Sequence, residues 1–355
     1  MYTREIQERR ETPVENGQPL HGTWTEAFGY VDLREIHRPF ALPLPPGLKE
    51  LRIKEWVSFF AEDERFFLHA LLYNLKVFRG AEVIVFDRET GELLRFRKAL
   101  PFSGWHLPRS LANSAVESRS WGFFFRVHAW LDAHTVRLDL NIEASKKRRP
   151  FTAHLTFDMN RAAVTPMAVS LLFSPRRSLY AFKAASPVRG EMAFGGKSIF
   201  FDPARTTGIF GDFKGLFPYN ARSVRCGAAG FEVIPRRTDA PRRIAFSVAE
   251  NQAREPNHSN ENALWVDGEL TPLPPVRITM PGGAPGEWII EDVEGMVDLT
   301  FTPEKPVHSS ASVPLARAEY NTPIGYFNGM LLNSKGEQIP VRNMRGMGET
   351  LRLRI

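Results

Sequence analysis

Apolar and polar residues alternate one for one along much of this chain. Val136, Leu138, Leu140 and Ile142 are separated by Arg137, Asp139 and Asn141; Phe151, Ala153, Leu155 and Phe157 are separated by Thr152, His154 and Thr156. The same period returns around Val276 and Ile278, around Val297 and Leu299, and at the C-terminal Leu351 and Leu353. Successive strand side chains point to opposite faces, so each run predicts a strand with one face on a core and one in water. Thr90-Gly91, Gly195-Gly196, Asp267-Gly268 and Lys335-Gly336 fall between such runs, where hairpins need residues that accept positive φ. The pattern predicts a mainly β chain, an antiparallel meander that closes into two packed barrels or half-barrels, with little helix.

Two stretches are ambiguous. Residues 62–77 can be written on a helical face through Phe66, Phe67, Ala70, Leu71 and Leu75, but their density of Phe, Tyr and Val favours two strands. Residues 111–117 form a short helical candidate. Pro166, Pro175 and Pro187 interrupt the strand pattern, so the halves are expected at 1–165 and 166–355, with the break somewhere in 158–187. The prolines of 39–46 read as a loop.

Composition narrows the class. The 355 residues are 43% hydrophobic and 24% charged, with 26 Gly and 27 Pro, which is too apolar for disorder and too breaker-rich for long helices. No apolar run reaches the ~18 residues of a membrane-spanning helix, and the charged start does not resemble a secretory signal, so a cytoplasmic protein is expected. The lone Cys226 has no partner for a disulfide and cannot alone hold a structural zinc.

A net charge of +6 raises the question of nucleic acid. The basic groups Lys146-Lys147-Arg148-Arg149, Arg236-Arg237 and Arg242-Arg243 are short and each adjoins a proline, as exposed turns between strands do. No nucleic-acid-binding motif accompanies them, and no nucleic-acid partner is expected. Gly195-Gly196-Lys197-Ser198 echoes the end of a phosphate loop, but its first glycine falls out of place and strand-like residues follow where a helix is needed. The nine histidines show no metal-ligand spacing, so no metal or cofactor is expected.

Two polar constellations remain. Asp212-Phe213-Lys214-Gly215-Leu216-Phe217-Pro218-Tyr219 gathers a carboxylate, an amine and a phenol around a Gly and a Pro that shape a loop. Asn260-Glu261-Asn262-Ala263-Leu264-Trp265 leads an amide-rich turn into the Asp267-Gly268 hairpin. Each has a functional reading, as acid–base groups at a barrel mouth, and a structural one, as hydrogen-bonded bends.

These stretches also carry a resemblance. Tyr180-Ala181-Phe182-Lys183, then Pro187 and Gly190, then the Asp212–Tyr219 segment resemble the central block of domain-of-unknown-function family 2804. Glu261-Asn262-Ala263-Leu264-Trp265-Val266-Asp267-Gly268 resembles a second signature of that family, and Gly325-Tyr326-Phe327-Asn328-Gly329 with Gly346 to Glu349 resembles its ending. Where the family pattern has an Arg before the loop glycine and a Trp soon after the Tyr, this chain has Lys214 and Ser223-Val224-Arg225. The resemblance implies two lipocalin-like (calycin-like) barrels, similar in architecture to carotenoid hydratases and related cyclases, with a ligand within or between barrels.

Two functions follow from different classes. One is binding of an apolar or amphipathic small molecule, for which 27 Phe and 7 Trp supply walls. The other is a cofactor-free hydratase, isomerase or cyclase using Asp212 with Tyr219 or Glu261 as acid and base, with Lys183, Lys214, Asn262 and Trp265 contacting ligand. A carboxylate pair acting on carbohydrate would instead need Asp212 and Glu261 roughly 5–10 Å apart across a cleft. The shared expectation is that Asp212 and Tyr219 enter one cavity, lined by Glu261 or Asn262.

Overall fold

The computed structural model describes residues 2–100, 106–146, 148–232 and 241–354. Strands account for 59% of the chain and helix for 3%, as the alternation predicts. A 13-stranded and an 11-stranded antiparallel sheet each curl into a half-barrel. The first sheet runs from Leu93–Ala99 through Arg79–Asp87, Phe66–Asn74, Ile53–Glu62, Thr207–Leu216 and Arg177–Phe194 to Phe151–Asp158, Thr135–Ile142, Phe123–Trp130 and Ser114–Ser120. The second is centred on Asn220–Phe231 and the closing strand Gln338–Arg354, which pair in register from Asn220↔Arg354 to Ala228↔Gly346. Residues 217–219 carry the chain from one sheet to the other.

The alternating runs become strands at the expected register. Thr135–Ile142 pairs with Phe151–Asp158, Val136 opposite Phe157, and the burial pattern switches residue by residue. Between them Lys146 and Arg149 are exposed and Arg148 half-buried; Lys147 and Arg236-Arg237 lie outside the described residues. Gly195-Gly196 and Asp267-Gly268 both turn hairpins with positive φ at each residue, which removes the phosphate-loop reading of the first.

Three local expectations change. Residues 111–117 are not helical: Ser114–Ser120 is a strand paired with Phe123–Trp130, burying Val116 and Ser118 on one face. Residues 62–77 hold one strand, Phe66–Asn74, after Glu62 ends the preceding one. The segment 158–187 stays within the first sheet, where Arg177–Phe194 is an 18-residue strand that exchanges partners at its proline. Up to Pro187 it pairs with Thr207–Leu216; from Val188 onward it pairs with Phe151–Asp158. A residue without an N–H suits the point where one ladder ends and another begins.

Several strands of the first sheet, Arg79–Asp87 among them, are buried on both faces. Along Ile53–Glu62, Val57, Phe59 and Ala61 enter the first barrel's core, while Trp56 and Phe60 belong to clusters shared with the second sheet. Phe66–Asn74, Arg177–Phe194 and Thr207–Leu216 divide in the same way: Phe210 faces the barrel and Phe213 the second sheet. This shared wall meets Ala221 and Leu353 at one place and Ala229, Trp265 and Met347 at another.

Candidate functional site

The shared wall separates the residues singled out in the sequence. Asp212 and Lys214 share a face with Phe210 and enter the first barrel, 1% and 3% exposed. Lys214 Nζ bonds Asp212 Oδ2 at 2.5 Å and stands 5.9 Å from the Tyr180 ring centroid. Burial raises the Asp212 carboxyl above its ordinary value although Lys214 draws it back, and Asp212 Oδ1 and the Tyr180 hydroxyl have no hydrogen-bond partner. These two residues are strand residues, not part of a loop, because Thr207–Leu216 is a continuous strand through Gly215.

Tyr219 goes elsewhere. It is 42% exposed, donates to the Leu315 carbonyl at 3.2 Å and lies under the Arg354 guanidinium. It therefore does not share a cavity with Asp212; three residues of connection after the strand carry it to the surface.

Lys183 and Glu261 are brought together, on the opposite side of the wall. Lys183 alternates with the barrel-facing Phe182 and Ala184, so its ammonium crosses to the second sheet. It reaches Glu261 Oε2 at 3.0 Å, the Glu261 carbonyl at 2.9 Å and Ser247 Oγ at 2.9 Å. Arg225 and Asn251 bond Glu261 Oε1 at 3.1 and 3.0 Å. Burial alone would raise the Glu261 carboxyl; Arg225 and Lys183 outweigh it and hold it at about 2. Glu261 is thus a carboxylate anchored by two cations, and it does not form a carboxylate pair with Asp212.

Asn262 and Trp265 serve the framework. Asn262 accepts from the Ala249 N–H and donates to the Pro274 carbonyl, and Trp265 donates to the Thr165 carbonyl from within the inter-sheet cluster. Glu50, Glu55 and His106 form a further cluster with metal-ligand chemistry, but Lys76 already bonds Glu50 at 2.6 Å and Glu55 at 2.9 Å. A cation is therefore built into that site by the chain itself.

Between the sheets lies a cleft of about 750 Å³, counted out to its open mouth. Trp56, Leu71, Leu75, Phe78 and Leu351 supply its apolar wall; Ser310 and Ala311 stand at the part-exposed rim. A deeper portion continues past Trp56, Leu71, Arg225 and Glu349 to His69, Phe213, Lys183 and Cys226. Trp56 and Phe213 stack on each other with centroids 5.0 Å apart, and Arg225 packs against that pair, 5.2 Å from the Trp56 centroid and 4.7 Å from that of Phe213. Tyr320 donates to Glu349, and burial, reinforced by that carboxylate, pushes its hydroxyl well above the ordinary range. Burial lowers the His69 imidazole while Glu349 and Glu82 oppose the shift, and it drives the Cys226 thiol well up.

The sequence reading missed Trp56, His69, Leu71, Arg225 and Tyr320. His69 and Trp56 sit in strands with no alternation to read, because both faces are buried. Arg225 and Glu349 had a signal: one stands where the chain departs from the family pattern, the other ends its closing motif, and the two are directly opposed across paired strands.

Two solved structures align with most of this chain. CghA with Sch210972 aligns over 85% of this chain and 88% of its own, with a TM-score of 0.52 and 12% identity, a likeness of fold alone. Kievitone hydratase from Nectria haematococca aligns over 84% and 88% at 12% identity, with a TM-score of 0.43. No curated protein matches the sequence. The family described as Domain of unknown function (DUF2804) matches residues 3–355, and with the two half-barrels on the page the chain belongs to that family.

Proposed function

We propose that this protein binds an apolar or amphipathic small molecule, and that the inter-sheet cleft is where it does so. The supporting observation is the cleft's division of labour: apolar side chains of Trp56, Leu71, Leu75 and Phe78 on one side, Arg225, Tyr320 and Glu349 at the inner end. Ligand sites combine mostly apolar lining with a few placed polar groups in this way. The barrel interiors are packed with aromatic side chains. Phe59, Phe125, Phe151, Phe157 and Phe210 are fully buried in the first, and Phe246, Phe301 and Phe327 fill the second.

An amphipathic ligand would lay its apolar body along Trp56 and Leu71 and turn its polar end toward Arg225. Native mass spectrometry of the purified protein tests the reading. It predicts either a non-covalent adduct or saturable uptake of the apolar fluorophore 1-anilinonaphthalene-8-sulfonate, competed by amphipathic compounds. Neither adduct nor saturable uptake would defeat it.

A further inference from the structure

Two polar groups of the inner cleft have unused hydrogen-bonding capacity. His69 is 2% exposed and its Nδ1 has no partner among the described residues; the Arg225 Nε–H, in a guanidinium that otherwise bonds Glu261, has none there either. Buried polar atoms are normally satisfied, so two orphans lining one cavity need a reason. Their charged neighbours are paired. Lys183 is bonded to Glu261 and Ser247, Glu82 to Arg95 at 2.6 Å, and Tyr320 to Glu349. His69 is faced by Glu82 from Arg79–Asp87 and by Glu349 from Gln338–Arg354, with Lys183, Arg225 and Cys226 in the same inner cleft. Burial outweighs those carboxylates and keeps the imidazole uncharged near neutrality, the form that accepts a proton.

We propose that the cleft catalyses a 1,3-proton shift in an amphipathic carbonyl compound bearing an acidic C–H, with His69 as the base and Arg225 holding the oxygen. The C–H bond next to the carbonyl breaks and His69 takes the proton. The freed electron pair forms a C=C bond, and the carbonyl π pair moves to oxygen, giving an enolate beside Arg225. The proton returns from His69 to the γ-carbon of an unsaturated substrate, so the product is an isomer and nothing is oxidised or reduced. The guanidinium is mostly buried against the stacked Trp56 and Phe213 rings and tied to Glu261, so it is placed in advance, and a positive group so placed stabilises developing charge most. His69 and Arg225 are thereby assigned as catalytic residues, on the assumption that the cleft binds small molecules.

The probe is 5-nitrobenzisoxazole, a carbon acid whose C–H loss breaks its N–O bond and releases a coloured phenolate. The wild-type protein should turn it over with saturation, at least tenfold faster than an equal concentration of free imidazole. His69→Gln should lose at least tenfold of that rate while binding anilinonaphthalene sulfonate as tightly as wild type. The rate should fall on acidification with an inflection below ~6.5, the ordinary imidazole value. Should His69→Gln not fold, carbethoxylation of the native protein, located by peptide mass spectrometry, replaces it: modified His69 should abolish turnover. Saturable binding without acceleration, or a rate that survives loss or modification of His69, overturns the catalytic proposal and leaves the binding reading intact. Absence of saturable binding by either probe overturns the catalytic proposal, and with no adduct in native mass spectrometry it overturns both.

Discussion

The outer wall of the first barrel and the wall it shares with the second sheet are built from the same antiparallel ladder, yet they hold charge differently. On the outer wall, His154 and Asp139 meet across paired strands at 2.8 Å, on the exposed face of Thr135–Ile142 and Phe151–Asp158. On the shared wall, Lys183 and Glu261 meet at nearly the same distance, 3% and 0% exposed. The first pair sits in water and can be lost. The second has been taken out of water and holds only because each charge has its counterpart. A strand with one wet face contributes packing; a strand with two dry faces can also enclose a site.

That difference sets the scale of what substitutions should do. Glu261→Ala leaves Lys183 and Arg225 as uncompensated buried cations and should cost about 3–5 kcal/mol, read from urea unfolding. Asp139→Asn on the outer wall should stay within about 0.5 kcal/mol in the same assay. Comparable losses at the two positions would erase the distinction between the walls.

Acid unfolding sharpens the same point. With its carboxyl held at about 2 against an ordinary value near 4.5, Glu261 contributes stability that is complete above the ordinary value. That contribution, about 3 kcal/mol from the size of the shift, drains away as pH falls from near 4.5 toward 2. The Glu261→Ala variant should therefore lose less stability than wild type between pH 5 and pH 3. Parallel curves would contradict the assignment.

Asp212 tests the two faces of one strand. Asp212→Ala strands the buried Lys214 and should destabilise by about 3 kcal/mol, whereas the double change Asp212→Leu with Lys214→Met should recover most of it. Because both side chains face the barrel, neither variant should alter ligand affinity. A loss of binding in the stable double variant would place the site inside the barrel instead.

The smallest contrast concerns two hairpin glycines that read alike in sequence. Gly196 at φ +80° has open space around a built Cβ, and Gly196→Ala should cost about 1 kcal/mol. Gly268 at φ +83° would drive that Cβ to 1.8 Å from the Ala163 carbonyl, so Gly268→Ala should cost clearly more. Equal melting temperatures would mean that the packing against residue 163 does not matter.

Much of the fold was legible in sequence for the same reason that much of the site was not. Alternation at 135–157 exists because one face meets water, and it names both the strand and its buried residues. Along Ile53–Glu62 and Phe66–Asn74 both faces are dry, alternation disappears, and nothing in the pattern singles out Trp56 or His69. Lys183 and Glu261 were found as chemistry-bearing residues in motifs, but their pairing joins residues 78 apart in sequence and requires the sheets to be packed. The Asp212–Tyr219 grouping failed because strand geometry turns Asp212 inward while residues 217–219 leave the sheet altogether. Proximity in sequence stood in for proximity in space, and the wall came between.

The most direct test of the account is to close the cleft and measure binding. Ala318 is small, half-buried and lines the inter-sheet cleft, so Ala318→Trp should fill its outer part without touching either barrel interior. Titration with anilinonaphthalene sulfonate should then show at least a tenfold weaker dissociation constant than wild type, with the fold intact by circular dichroism. An unchanged constant in the folded Ala318→Trp variant would contradict the placement of the ligand between the sheets.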